Sequence, residues 1–195
     1  MPGRTITSQE MRQRLQAVIL RQSFKVGTFT LASGKTSDYY VDCRTTTLDP
    51  EGADLCARLL FARIRSLKEK IDSAGGLTLG ADPMTAALIV RSWIEKRPLR
   101  GFIVRKEAKT HGTGRQVEGN LRKGDAAVIL EDVVTTAGSA FQAIAAVEAA
   151  GAKVVEVLAL VDREEGGREA LQARGYPLFA LFTASELKAA AGGQK

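Results

Sequence analysis

Apolar residues first recur at helical spacing. Met11, Leu15, Val18 and Ile19 make one face, and Thr7 with Glu10 three positions on forms a capping box ahead of them. An N-terminal helix is expected there. Strand-like stretches follow at 26–31 and 39–41, broken by Ala32-Ser33-Gly34-Lys35. Asp49-Pro50 offers a cap and a first-turn proline for a second helix. Its apolar positions Leu55, Leu59, Phe61, Ile64, Leu67 and Ile71 carry it to Gly75-Gly76. From there strands and helices alternate: strands at 77–79, 101–104, 126–130, 154–161 and 178–182, helices at 84–95, 136–150 and 164–174. The wholly apolar run 126–130 suits the middle of a parallel sheet. The expected fold is α/β, a central, mostly parallel sheet flanked by helices. The N-terminal helix and broken strands stand outside that rhythm and are expected to form a small hood over the sheet's edge.

At 195 residues the chain is read as one domain: helix and hood over about 1–45, core over about 46–183, and a C-terminal tail at 184–195. Its 45% hydrophobic content supplies a core that a disordered chain lacks. No apolar run approaches the length of a membrane span, and the polar first ten residues lack a signal peptide's apolar stretch. Two cysteines and one histidine leave little for a zinc site, and a reduced, cytoplasmic setting is expected.

The net charge of +6 suits either nucleic acid or a phosphorylated small molecule. Its location decides between them. Residues 96–123 hold nine Lys or Arg against two Glu, so the remainder of the chain carries −1. The positive surplus belongs to one segment. Within it, 105–125 has glycines, charges and no apolar period; a stretch of that length in a compact domain is functional or disordered. Arg105, Lys106, Lys109 and His111 lie there, as a solvated charge run or as a cationic lid with glycine hinges.

The strongest motif is VILEDVVTTAGS, residues 128–139. An apolar strand ends in Glu131 and Asp132, then runs through small and hydroxyl residues into a helix. Ligands of open α/β sheets bind at strand carboxyl ends, and a helix opening offers N–H groups to a phosphate. The acid pair repels phosphate and suits sugar hydroxyls or a metal. The loop reads as a ribose-5-phosphate cradle, against an ordinary capped strand–turn–helix. Gly80-Ala81-Asp82-Pro83 is a second anion-binding turn or a plain helix cap, and Arg163 a surface ion pair or a carboxylate fork.

Together FTLASGKTSDYY, LGADPMTA, VRKEAKTHGTG, VILEDVVTTAGS and LVDREEGG resemble orotate phosphoribosyltransferases, of the type I phosphoribosyltransferase fold, from end to end. The resemblance implies transfer of the phosphoribosyl group from 5-phosphoribosyl 1-pyrophosphate (PRPP) to orotate, in the de novo route to UMP. Mg2+ would be held mainly by PRPP, with no dedicated protein ligands. By similarity, PRPP would meet Arg105, Lys106, Lys109 and His111 of the catalytic loop, and Glu131, Asp132, Val133, Val134, Thr135, Thr136, Ala137, Gly138 and Ser139. Lys106, Lys109, His111 and Asp132 would be catalytic. Thr135, Arg163, Tyr40 and Val41 would contact orotate, and Gly80, Ala81 and Asp82 would form the pyrophosphate-side turn, often with a non-proline cis peptide. A homodimer sharing its catalytic loop across subunits is implied, with no nucleic acid and no membrane as partner. Ala137 stands where many relatives have glycine, and Ala32 where some have lysine. The rival readings are a phosphoribosyltransferase for another nucleobase and a PRPP-binding regulator that binds nucleic acid.

Overall fold

The computed structural model describes residues 6–30, 34, 36–107 and 116–193. Helix α1 (Ser8–Gln22) carries the expected capping box: the Thr7 hydroxyl accepts from Glu10 N–H at 3.2 Å and the Glu10 carboxylate from Thr7 N–H at 2.7 Å. β1 (Phe24–Thr30) and β2 (Thr36–Val41) pair antiparallel as a separate hairpin. α2 (Arg44–Thr47) leads to α3 (Pro50–Ser66), whose N-cap Asp49 accepts the Gly52 N–H at 2.9 Å. The alternating part then follows as β3 (Ser73–Leu77), α4 (Ala81–Ile94), β4 (Arg100–Val104), β5 (Val117–Gly119), β6 (Ala126–Val134), α5 (Gly138–Ala149), β7 (Lys153–Asp162), α6 (Gly167–Ala173), β8 (Leu178–Thr183) and α7 (Ala184–Gly192).

The six-stranded sheet has the order β5-β4-β3-β6-β7-β8. All neighbours are parallel except β5, which runs antiparallel to β4. The sheet is covered on both faces, as a parallel sheet requires. Successive residues of β6 point to opposite faces: Val128 and Leu130 join the apolar cluster of α1, α3, α4 and α7, while Ala127 and Ile129 join that of α5 and α6.

Several expectations are corrected. The second helix stops at Ser66, short of Ile71, and Gly75-Gly76 lie inside β3. They are glycines because the neighbouring backbones come close. A Cβ on Gly75 would lie 2.0 Å from Phe102 O, and one on Gly76 2.1 Å from Leu130 O. The strand is thus 73–77, where 77–79 was expected. β6 continues through the acid pair to Val134, and three residues of the charged 105–125 stretch form the edge strand β5. The supposed tail contains α7, opened by a second capping box between Thr183 and Glu186. α1 packs into the main core through Leu15 and Ile19, and the hairpin, a separate two-stranded sheet, joins the same core through Phe24 and Tyr39.

Candidate active site

The carboxyl ends of β3 and β6 face the end of the hairpin across a cavity of about 330 Å³. Glu131 and Asp132, the turn at 77–80, Tyr40, Val41, Lys106 and Ser139 line it, together with Asp42 and Arg44. Glu131 is buried and its Oε1 has no hydrogen-bond partner. Burial, with the charge of Asp132 beside it, pushes its carboxyl up to about 8. Asp132 is also raised, chiefly by burial, and its Oδ1 accepts the Val133 N–H at 3.0 Å.

The turn after β3 contains the one cis peptide bond among the described residues, Thr78–Leu79, just ahead of Gly80. Thr78 Oγ1 donates to Asp82 Oδ2 at 2.7 Å, so Asp82 folds back onto its own turn. After β6, Ala137 takes the left-handed conformation (φ 64°, ψ 17°) and caps α5, where Phe141 N–H returns to Ala137 O at 2.9 Å. The alanine therefore adopts the backbone that glycine favours. The first-turn N–H groups of α5 lack helical acceptors and open beside the acid pair. Gly167 lets α6 close on this loop: a Cβ there would lie 2.5 Å from Thr135 O.

Arg163 follows β7, and its N–H joins Val134 O at 2.8 Å. Its side chain faces a second cavity, of about 680 Å³, between the hairpin and α7. There Nε donates to the Tyr39 hydroxyl at 3.1 Å and lies 2.8 Å from Glu165 Oε1. Lys188 of α7 stacks over the Tyr39 ring at 4.6 Å and pairs with Asp38 at 2.9 Å. Tyr40 and Val41 thus line the acid-pair cavity, and Arg163 lines the neighbouring one with Tyr39. Arg105 pairs with Glu118 at 3.2 Å, and the Lys106 carbonyl accepts from Gln142. Lys109 and His111 lie outside the described residues.

Sequence reasoning missed Tyr39, Arg44 and Lys188. DYY and the Asp42–Arg44 spacing were visible, but their geometry depends on where the hairpin folds. Cys43 lines the acid cavity, yet burial pushes its thiol well up, so it stays protonated.

A parallel sheet ending in an acid pair, a hydroxyl-rich loop and a helix start defines a type I phosphoribosyltransferase. No family model matches the chain. The chain is 45% identical over 179 residues to orotate phosphoribosyltransferase of Aquifex aeolicus, covering 90% of this chain and 97% of that one. It is 47% identical over 180 residues to that of Rhodopseudomonas palustris strain TIE-1, covering 90% and 95%. Among solved structures, Mycobacterium tuberculosis H37Rv orotate phosphoribosyltransferase with Fe(III) dicitrate aligns with TM-score 0.80 and 37% identity, over 91% of this chain and 98% of that one. The same enzyme in complex with PRPP aligns with TM-score 0.77 and 34% identity, over 91% and 99%. The chain belongs to the orotate phosphoribosyltransferase family.

Proposed function

We propose that this chain transfers the phosphoribosyl group of PRPP to orotate, giving orotidine 5'-monophosphate and pyrophosphate in pyrimidine biosynthesis. The observation that carries the reading is the buried acid pair at the end of β6, facing the turn after β3 and followed by the loop that opens α5. Glu131 and Asp132 hold the ribose hydroxyls, and the 135–139 loop takes the 5-phosphate on its hydroxyls and the α5 N–H groups. Gly80, Ala81 and Asp82 border the pyrophosphate. Tyr40, Val41 and Thr135 border the base, and Arg163 orients orotate's carboxylate with its planar fork.

The anomeric carbon gains positive charge as pyrophosphate leaves with growing negative charge. Arg105, Lys106, Lys109 and His111 act as a lid that meets that charge and keeps water from the activated sugar. Mg2+ would be held mainly by PRPP, beside the ribose hydroxyls that Glu131 and Asp132 meet; among the described residues no group of three His, Cys, Asp or Glu side chains would hold it alone. There the ion would supply neutralisation of the charge on the departing pyrophosphate.

The working unit is a homodimer. Val90, Trp93 and Ile94 of α4 form an exposed apolar stripe, with Trp93 74% exposed, and Leu79 of the active-site turn adds to it. Such a stripe fits a second copy of the chain, and the shared catalytic loop would then reach this site from the partner subunit. No helix among the described residues is long and apolar enough to cross a membrane.

The reading is tested by ultraviolet loss of orotate in the presence of PRPP and magnesium, beside a salt-dependent nucleic-acid shift assay. Orotate consumption with stoichiometric pyrophosphate is expected. Consumption of another nucleobase instead, or nucleic-acid binding without turnover, would favour the rival readings.

A further inference from the structure

We infer that Arg44 is a further PRPP-binding residue, meeting the pyrophosphate end of the donor between the acid pair and the turn after β3. The inference rests on reading the acid-pair cavity as the donor site.

Charge balance comes first. The cavity wall carries three acids, Asp42, Glu131 and Asp132, and among the described residues only two cations, Arg44 and Lys106. The turn that borders the pyrophosphate, Thr78 to Asp82, contributes no cation and one acid. PRPP is a polyanion, so a fixed positive group is needed on that side while the lid is open.

Geometry then singles out Arg44. Asp42 holds it at three points: Oδ1 accepts the Arg44 backbone N–H at 3.1 Å and Nε at 2.8 Å, and Oδ2 accepts Nη2 at 2.8 Å. The remaining nitrogen, Nη1, makes no hydrogen bond among the described residues, and the side chain is 51% exposed. A guanidinium locked on one edge and open on the other is preorganised for a phosphate oxygen. Arg44 also borders the adjoining groove with Leu79 and Asp82, which places it against the turn itself. Asp132 lies near enough to act on it electrostatically. Arg44 therefore sits where an acid-rich cavity most needs a cation. The pair Asp42–Arg44 also supplies that cation from the same subunit, before any lid arrives.

The test compares Arg44→Gln, Arg44→Lys and Asp42→Asn with the unaltered protein. Affinity for inorganic pyrophosphate and for ribose 5-phosphate is measured beside the KM for PRPP and for orotate. Losing a charge-assisted contact is expected to raise the pyrophosphate Kd and PRPP KM of Arg44→Gln about ten- to a hundredfold. Ribose 5-phosphate affinity and the orotate KM at saturating PRPP are expected to stay within about twofold, roughly 0.4 kcal/mol. Arg44→Lys keeps the charge but loses the fork, so a smaller rise is expected, and Asp42→Asn should show one too by unlocking the guanidinium. Unchanged pyrophosphate affinity in Arg44→Gln, or in Arg44→Lys if the first variant fails to fold, would overturn the assignment. So would an equal loss for ribose 5-phosphate. Full turnover in Asp132→Ala would instead overturn the reading of the cavity as the donor site, which separates the two failures.

Discussion

Asp132 lies directly over Gly80: a Cβ on that glycine would fall 2.3 Å from Asp132 Oδ1 and 2.8 Å from its Cγ. The end of β6 and the turn after β3 are therefore matched to each other through one missing methyl group. The obstructing atom is the tip of a side chain, so Gly80→Ala can be accommodated by moving the carboxylate. The expected outcome is a folded protein with little change in Tm but about a hundredfold lower kcat/KM for PRPP, roughly 2.7 kcal/mol of transition-state stabilisation. Steady-state kinetics beside thermal melting checks this.

Glu131 makes the free protein pH-sensitive. Its carboxyl is pushed up to about 8 from an ordinary value near 4.5, with burial as the main cause. Between those values the unfolded chain ionises while the folded chain stays protonated, so stability falls as pH rises, by up to roughly 1.4 kcal/mol per pH unit. Glu131→Gln is expected to flatten that decline and to melt higher than the unaltered protein at pH 8, while losing turnover. Parallel pH dependence of Tm in the two proteins would contradict the buried-acid account.

Arg163 is oriented by Tyr39 and Glu165 in the cavity beside the acid pair, and the proposed reading gives it orotate's carboxylate. Arg163→Ala is expected to raise the orotate KM about ten- to a hundredfold at saturating PRPP, the loss of a charge-assisted contact, and to leave the PRPP KM nearly unchanged. Initial-rate measurements with each substrate varied in turn decide it.

Shared sites predict rescue between two inactive proteins. On the proposed roles, Lys109→Ala would remove a lid cation and Asp132→Ala a ribose contact. Mixed after subunit exchange, they should regain up to about a quarter of native activity, since a mixed dimer carries one intact site. Trp93→Glu, on the exposed face of α4, is expected to shift the sedimentation coefficient toward a monomer and to lower turnover in parallel. Rescue absent despite proven exchange would count against a lid crossing the interface.

Lys96 ends α4 at φ 55°, with Arg97 N–H returning to Ser92 O at 3.0 Å. That is the position glycine favours after a helix. The side chain is exposed, so Lys96→Gly is expected to stabilise the protein by about 0.5–1 kcal/mol, read as a rise in Tm with kinetics unchanged.

Much of this was legible in local signals. Thr7–Glu10 and Asp49–Pro50 start helices because their chemistry is contained in four consecutive residues. The apolar run ending in Glu131 and Asp132 marked an interior strand of the sheet, and the structure puts the acid pair in a cavity wall. What escaped depended on distant neighbours. Gly75-Gly76 resembles a helix stop, and only the approach of Phe102 and Leu130 makes it a strand centre. β5 is three residues long and exists by pairing with β4. Thr183 and Glu186 form a capping box as clear as the first, but it straddled the boundary between the core and the stretch read as a tail. Arg44 and Tyr39 gain meaning only once the hairpin is folded against the sheet.

The glycine pair in β3 sets the spacing of everything at the sheet's carboxyl edge. Phe102 O of β4 and Leu130 O of β6 both stand where a methyl would be. Widening either gap would carry the acid pair away from the turn it faces, much as a shim under one side of a vice separates its jaws. Gly75 and Gly76 touch no part of the cavity, yet a single added carbon there would be felt as lost alignment at its mouth. Among the described glycines, room for an added methyl is therefore least at the buried middle of the sheet, at two residues no survey of the cavity lining would pick out.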